Sequence, residues 1–246
     1  KMGEYAVEAG FPAGVINIIT GPGTEVGEAI VNHRDVAKIN FTGDSHVGKR
    51  IMELASSQVK PVASELGGKN AMIVLDDAEL DNAVETATYA AFFNSGQNCG
   101  SPSRFYVQEG IYDAFVSRFV KAAGKIITGD PTDEKTMMGP LAYNACRDTA
   151  EYYIQSAKKA GSKVLLGGER PTDPVMTNGA FVVPTIFEVY DNKQEMMQEE
   201  IFAPVVGIMK IKTPEEAIGL VNGCRYGLCA SIWTMDYRNA LRMIDK

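Results

Sequence analysis

The chain has 246 residues and a mass of 26.6 kDa, with 45% apolar and 22% charged side chains, an ordinary globular composition that argues against intrinsic disorder. Its net charge of −7 argues against a nucleic-acid partner, because holding phosphates takes clustered Lys and Arg. No apolar run approaches the ~18 residues that a membrane-spanning helix needs, so no membrane association is expected.

In chain order, Met2–Ala9 reads as the end of a helix stopped at Gly10, and Val15–Ile19 as a short apolar strand. Gly21-Pro22-Gly23 turns into a helix near Thr24–Val31. Val36–Phe41 is a second strand. Thr42–Ser45 then turns it into a helix over Ser45–Ser56, capped by Ser45, with Val47, Ile51, Leu54 and Ala55 on one face. Val62–Leu66 is a strand broken by Gly67-Gly68. Ala71–Leu75 is the next strand, after which Asp77 caps a helix carrying Leu80, Val84, Ala87 and Ala91. Phe105–Val107 precedes a helix marked by Ile111, Phe115, Phe119 and Ala123. Residues 143–160 form a longer, more polar helix, and Asn178-Gly179 signals a turn before Phe181–Val183. Val205–Ile211 is a strand. Thr213-Pro214-Glu215-Glu216 combines a capping box with proline at the first helical position, and Gly223 ends that helix. Ala230–Trp233 is a strand, and Tyr237, Ala240, Leu241 and Ile244 form a closing helical face.

This alternation predicts an α/β fold with largely parallel sheets. The glycine pair at 67–68 divides the chain into residues 1–66 and 67–246. Lys1-Met2-Gly3-Glu4 has no secretory character, and both ends read as cut from a longer chain. The cysteines are Cys99, Cys146, Cys224 and Cys229, without a CxxC and far in sequence from His33 and His46. That pattern predicts no metal site and reduced thiols in a cytoplasmic setting.

Four segments carry possible chemistry. Phe41-Thr42-Gly43-Asp44-Ser45-His46-Val47-Gly48 runs strand, turn, helix start. It is either a phosphate site at a helix N-terminus or a plain turn, and the Asp44 carboxylate opposes the first. Glu65-Leu66-Gly67-Gly68-Lys69-Asn70 places a carboxylate at a strand end. Partial burial would suit Glu65 to general-base work, and an ion pair with Lys69 is the plainer alternative. Asn94-Ser95-Gly96-Gln97-Asn98-Cys99-Gly100 presents a cysteine in a glycine-rich loop, either an attacking thiolate or a small buried hydrophobe. Gln198-Glu199-Glu200-Ile201-Phe202-Ala203-Pro204 sets two acids before an aromatic and a proline, either to hold a ribose or as a solvated turn.

In series, these segments resemble the motifs of the NAD(P)-dependent aldehyde dehydrogenase superfamily. Phe41–Gly48 resembles FTGSxxVG, with Asp44 in place of the usual Ser. Glu65–Asn70 resembles the ELGGK motif, Phe93–Cys99 resembles F-x-x-GQ-x-C, and Glu200–Pro204 resembles E-x-F-G-P with Ala203 in place of Gly. The resemblance spans essentially the whole chain. It implies a partial Rossmann-like cofactor domain over 1–66 and an α/β catalytic domain over 67–246.

It also implies aldehyde oxidation with NAD or NADP, with Cys99 as nucleophile and Glu65 as the base that activates water. Gly43, Asp44, Ser45, Gly48, Leu66, Glu200 and Phe202 would face the cofactor, Phe93 and Asn98 would border the aldehyde pocket, and the whole protein would be a homodimer or homotetramer. Members of that family are longer at both ends. Their oxyanion-hole asparagine and adenosine-ribose lysine would precede Lys1, so the 246 residues alone are expected to be inactive. A catalytically silent, crystallin-like use of the fold and a cofactor-independent thiol esterase are the alternative readings.

Overall fold

The computed structural model describes residues 1–246 as two compact units, Lys1–Leu66 and Gly67–Lys246. The first holds α1 (Met2–Glu8), α2 (Glu28–Asn32), β1 (Ile39–Gly43), α3 (Ser45–Ser56) and β2 (Val62–Leu66). β1 and β2 form a two-stranded parallel sheet in register Ile39↔Val62 to Gly43↔Leu66. Its core is small: Val31, Ile39 and Ala55 are buried, with Ile51, Leu54 and Val62 packed against them. Lys60 Nζ ties the sheet to α2 by donating to the Val31 and His33 carbonyls, each at 2.6 Å. Val15–Ile19 forms no strand, since no neighbouring strand pairs with it, and Val15, Ile16, Ile18 and Ile19 are exposed.

The second unit contains β3 (Asn70–Val74), α4 (Leu80–Phe92), β4 (Pro102–Gln108), α5 (Glu109–Ala123), α6 (Asn144–Lys159), β5 (Lys163–Leu166), α7 (Pro174–Thr177), β6 (Thr185–Glu188), α8 (Glu195–Gln198), β7 (Val205–Ile211), α9 (Pro214–Asn222), β8 (Ala230–Trp233) and α10 (Tyr237–Ile244). Its six strands run in the order β5-β6-β7-β4-β3-β8, parallel throughout except for the antiparallel β5–β6 pair. Side chains alternate across a strand, so β3 divides its residues between two cores. Ala71 and Ile73 join α6, α8 and α9 on one face, while Met72 and Val74 join α4 and α5 on the other. Burial on both faces explains why the central strands are continuous apolar runs. Phe105, Phe115 and Phe119 cluster in the second core with ring centroids 5.1 to 6.4 Å apart.

Several ends differ from expectation. α3 is capped by Asp44, not Ser45: its carboxylate accepts from His46 N–H at 2.7 Å and Val47 N–H at 3.3 Å. α4 is capped by Glu79. Asp77 instead accepts from Thr234 Oγ1 and from the Met235 and Asp236 N–H groups, pinning the end of β8. Phe181–Val183 is not a strand. The ladder begins at Thr185, beyond Pro184, which has no N–H to donate. On α10 it is Met243 that is buried, while Tyr237, Leu241 and Ile244 stay exposed. Thr213 caps α9 as expected, accepting from Glu216 N–H at 3.2 Å.

Candidate active site

In the second unit, the segments leading into four parallel strands converge at their N-terminal ends. Gly67–Lys69 precedes β3, Asn94–Ser101 precedes β4, Glu199–Pro204 precedes β7 and Tyr226–Cys229 precedes β8. Open α/β sheets more often gather their ligands at the C-terminal ends of strands. Here the glycines and one asparagine bring the opposite ends together.

The Cys99 loop is held by strain and hydrogen bonds. After α4 the backbone enters the left-handed region at three successive residues, Asn94 (φ 51°), Ser95 (φ 58°) and Gly96 (φ 69°). Side chains other than glycine adopt that region at a cost, and such strain collects at functional sites. Gly96 is also required by space, because a Cβ there would lie 2.4 Å from the Ala203 carbonyl oxygen. Ser95 Oγ donates to the Gly139 carbonyl at 2.8 Å, and Gln97 Oε1 accepts from Ala142 N–H at 2.8 Å. Asn98 Oδ1 accepts from Gly100 N–H at 2.8 Å, folding the chain tightly around Cys99. Cys99 itself is a free, exposed thiol, which removes the reading of it as a buried hydrophobe.

Glu200 lies against the glycine pair. Gly68 N–H donates to Glu200 Oε1 at 3.3 Å, and a Cβ on Gly67 would come within 1.9 Å of Glu200 Oε2. The two glycines are therefore a cradle for that carboxylate. Phe202 carries a positive φ of 56° and is partly exposed. Gly68, Gly96, Asn98, Glu200, Phe202 and Ala203 line one small hollow. Phe93 lines a different, more apolar groove with Tyr89, Phe92 and Met137, its ring 5.2 Å from Tyr89. The two residues expected to border one substrate pocket thus face two different hollows.

Asn70, which closes the Glu65–Asn70 segment without a role assigned to it there, organises the site. Its Nδ2 donates to the Cys99 carbonyl at 2.5 Å and the Ser101 carbonyl at 3.1 Å, while its Oδ1 accepts from Cys229 N–H at 2.9 Å. Lys69 is 2% exposed, and its Nζ makes no hydrogen bond. Burial first, then the Arg104 guanidinium, brings its ammonium from the usual 10.5 down to about 7. Arg104 is buried too, donating to the Lys69 carbonyl at 2.8 Å and to Tyr106 Oη at 3.3 Å. Burial also pushes the Tyr106 phenol up to about 12.

In the first unit, Gly48 is needed because a Cβ would lie 2.5 Å from Leu66 Cδ2, so α3 packs directly on the end of β2. Gly43 permits the Phe41 ring to fold over the turn. The Asp44 carboxylate occupies the His46 and Val47 N–H donors that a phosphate would use, and Ser45 begins the helix behind it. Glu65 sits on β2 and is exposed, not partly buried as expected.

The second unit thus places an exposed cysteine and a cradled glutamate at one end of its sheet. The chain is a member of the aldehyde dehydrogenase family, which it matches over residues 1–246. It is 43% identical over 231 residues to the D-glyceraldehyde dehydrogenase (NADP(+)) of Thermoplasma acidophilum, covering 94% of this chain and 46% of that protein. It is 45% identical over 237 residues to an aldehyde dehydrogenase of Emericella nidulans, covering 96% and 47%. The structure of the Staphylococcus aureus betaine aldehyde dehydrogenase in complex with NAD+ superposes with a TM-score of 0.94 at 38% identity, covering 99% of this chain and 48% of that one. The fold is therefore the aldehyde dehydrogenase fold, and the chain spans about half the length of the relatives it matches. No helix is long and apolar enough to cross a membrane.

Proposed function

We propose that the whole protein oxidises an aldehyde to a carboxylic acid with NAD or NADP. The observation that carries this reading is the strained loop presenting Cys99 beside the Glu200–glycine cradle, in a chain of this family. Relatives support either cofactor: one is named for NADP(+) and another is described with NAD+.

The nicotinamide end of such a cofactor suits the second unit. Glu200, seated on Gly68 N–H, presents acceptor oxygens to a ribose diol, and the partly exposed Phe202 offers an apolar surface to the ring. The pyrophosphate end suits the first unit less well, because Asp44 already holds the donors at the start of α3. When bound, the oxidised nicotinamide supplies the hydride acceptor.

Cys99, as thiolate, adds to the aldehyde carbon, and its own backbone N–H is the donor on this chain for the developing oxyanion. Addition matters because a free aldehyde is a poor hydride source and the tetrahedral adduct is a good one. With a bound nicotinamide to accept the hydride, the acyl group would remain on Cys99 as a thioester. Glu65, assigned from its motif, takes a proton from water, and the resulting nucleophile releases the acid.

Homo-oligomerisation and a cytoplasmic setting belong to the same proposal. So does inactivity of these 246 residues by themselves, given that they span about half of their relatives.

The test is NAD- and NADP-linked turnover of the whole protein against an aldehyde panel. Cys99→Ala is expected to lower kcat by about 1,000-fold or more. A folded protein inert toward every aldehyde favours the silent reading, and ester hydrolysis without any nicotinamide binding favours the esterase. Undiminished turnover in Cys99→Ala removes Cys99 as the nucleophile.

A further inference from the structure

Cys229 lies in the last loop position before β8, and Asn70 spans the gap between it and Cys99. One primary amide accepts from Cys229 N–H at 2.9 Å and donates to the Cys99 carbonyl at 2.5 Å. β8 and β4 flank β3, so their ladders stand two strand widths apart, ~9.6 Å at the usual spacing. A Cβ built on Gly100, the residue after Cys99, would lie 3.9 Å from Cys229 Sγ, so the second sulfur stands close to the Cys99 loop. Both thiols are free and exposed. The other two cysteines are elsewhere: Cys146 is on α6, and the half-buried Cys224 donates to the Gln198 carbonyl at 3.6 Å.

We propose that Cys229 is a resolving thiol for Cys99, closing a reversible disulfide when a hydroperoxide reaches the site. The Cys99 thiolate attacks one peroxide oxygen. An S–O bond forms, the O–O bond breaks, and the departing hydroxide takes a proton to leave as water, so sulfur is oxidised to sulfenic acid and the peroxide is reduced. Cys229, as thiolate, then attacks that sulfur. The S–S bond forms, the S–O bond breaks, and the second oxygen leaves as water with the Cys229 proton. Two thiols and one hydrogen peroxide become one disulfide and two waters, and a dithiol restores both thiols by exchange. The disulfide withholds the nucleophile from substrate and keeps it from the irreversible sulfinic and sulfonic acids. That consequence for turnover rests on the reading of Cys99 as the nucleophile, whereas the disulfide itself does not.

The whole protein is treated with one equivalent of hydrogen peroxide, alkylated, digested without reductant and mapped by mass spectrometry. The expected product has lost two hydrogens, contains a linked Cys99–Cys229 peptide pair, and reverts with dithiothreitol. In Cys229→Ser, Cys99 should be trapped by dimedone as sulfenic acid and over-oxidise about tenfold faster than in the parent. Equal trapping and over-oxidation in parent and variant, or linkage of Cys99 to Cys146 or Cys224, overturns the proposal. Circular dichroism of both proteins before treatment checks that each is folded. Linkage without aldehyde turnover in the whole protein sinks the dehydrogenase reading and leaves this one standing. Turnover without linkage does the reverse.

Discussion

Lys69 is the residue whose environment is least expected from its chemistry. A lysine with 2% exposure and no hydrogen bond on Nζ, beside the buried Arg104, stands directly behind the glycine cradle of Glu200. Its ammonium is brought down to about 7 from the usual 10.5, so its protonation opposes folding. Below about pH 7 the group is charged in both states and the burial penalty is fully present. Between there and 10.5 the unfolded chain holds the proton and the folded chain does not, so stability rises with pH; above 10.5 the penalty is gone. Replacing Lys69 with Met should therefore raise the urea midpoint of the second unit most at pH 6, with a gain that shrinks steadily toward pH 10. A gain that does not change with pH would show that packing, not charge, limits the site.

Among the elements, α3 shows how a side chain redirects a local rule. A helix N-terminus is a ready anion site, but the Asp44 carboxylate takes the His46 and Val47 donors for itself. Asp44→Ala should lower the stability of the first unit by about 1 kcal/mol, as loss of a good cap does, while Asp44→Asn should retain most of it. Urea unfolding, with amide exchange over residues 45–50 as the local probe, separates the two variants. Equal losses in both would mean the charge contributes and the capping bonds do not.

The two units differ in how much they bury. The first has a two-stranded sheet and three buried apolar side chains, and a two-stranded sheet is marginal by itself. The second packs two cores against the faces of six strands. Amides of β4 and β7 should exchange on the order of 100-fold more slowly than those of β1 and β2 under native conditions. Uniform protection would mean that the chain unfolds as one cooperative block. Val15, Ile16, Ile18 and Ile19 in the first unit and Tyr237, Leu241 and Ile244 on α10 in the second are exposed.

Local physics made much of this legible in the residues alone. The apolar periodicity of α4 and α5, the Thr213 cap of α9 and the runs that become β2, β7 and β8 depend on near neighbours in the chain, and they stand where the pattern puts them. The motif series was equally open to reading, since glycines, a cysteine and acids at set spacings need no coordinates, and family membership followed from it. Strand partners were not legible. Val15–Ile19 has the composition of a strand but no neighbour, and β5 and β6 exist because they find each other across the loop that α7 interrupts. Burial was not legible either, because it is set by what folds over a residue: Glu65 is exposed where its segment suggested a cleft, and Lys69 is buried where lysine ordinarily is not. The join made by Asn70 between Cys99 and Cys229 links residues 159 apart on one side and 29 on the other. A contact at that separation is decided by the order of strands in the sheet, which only the tertiary structure sets.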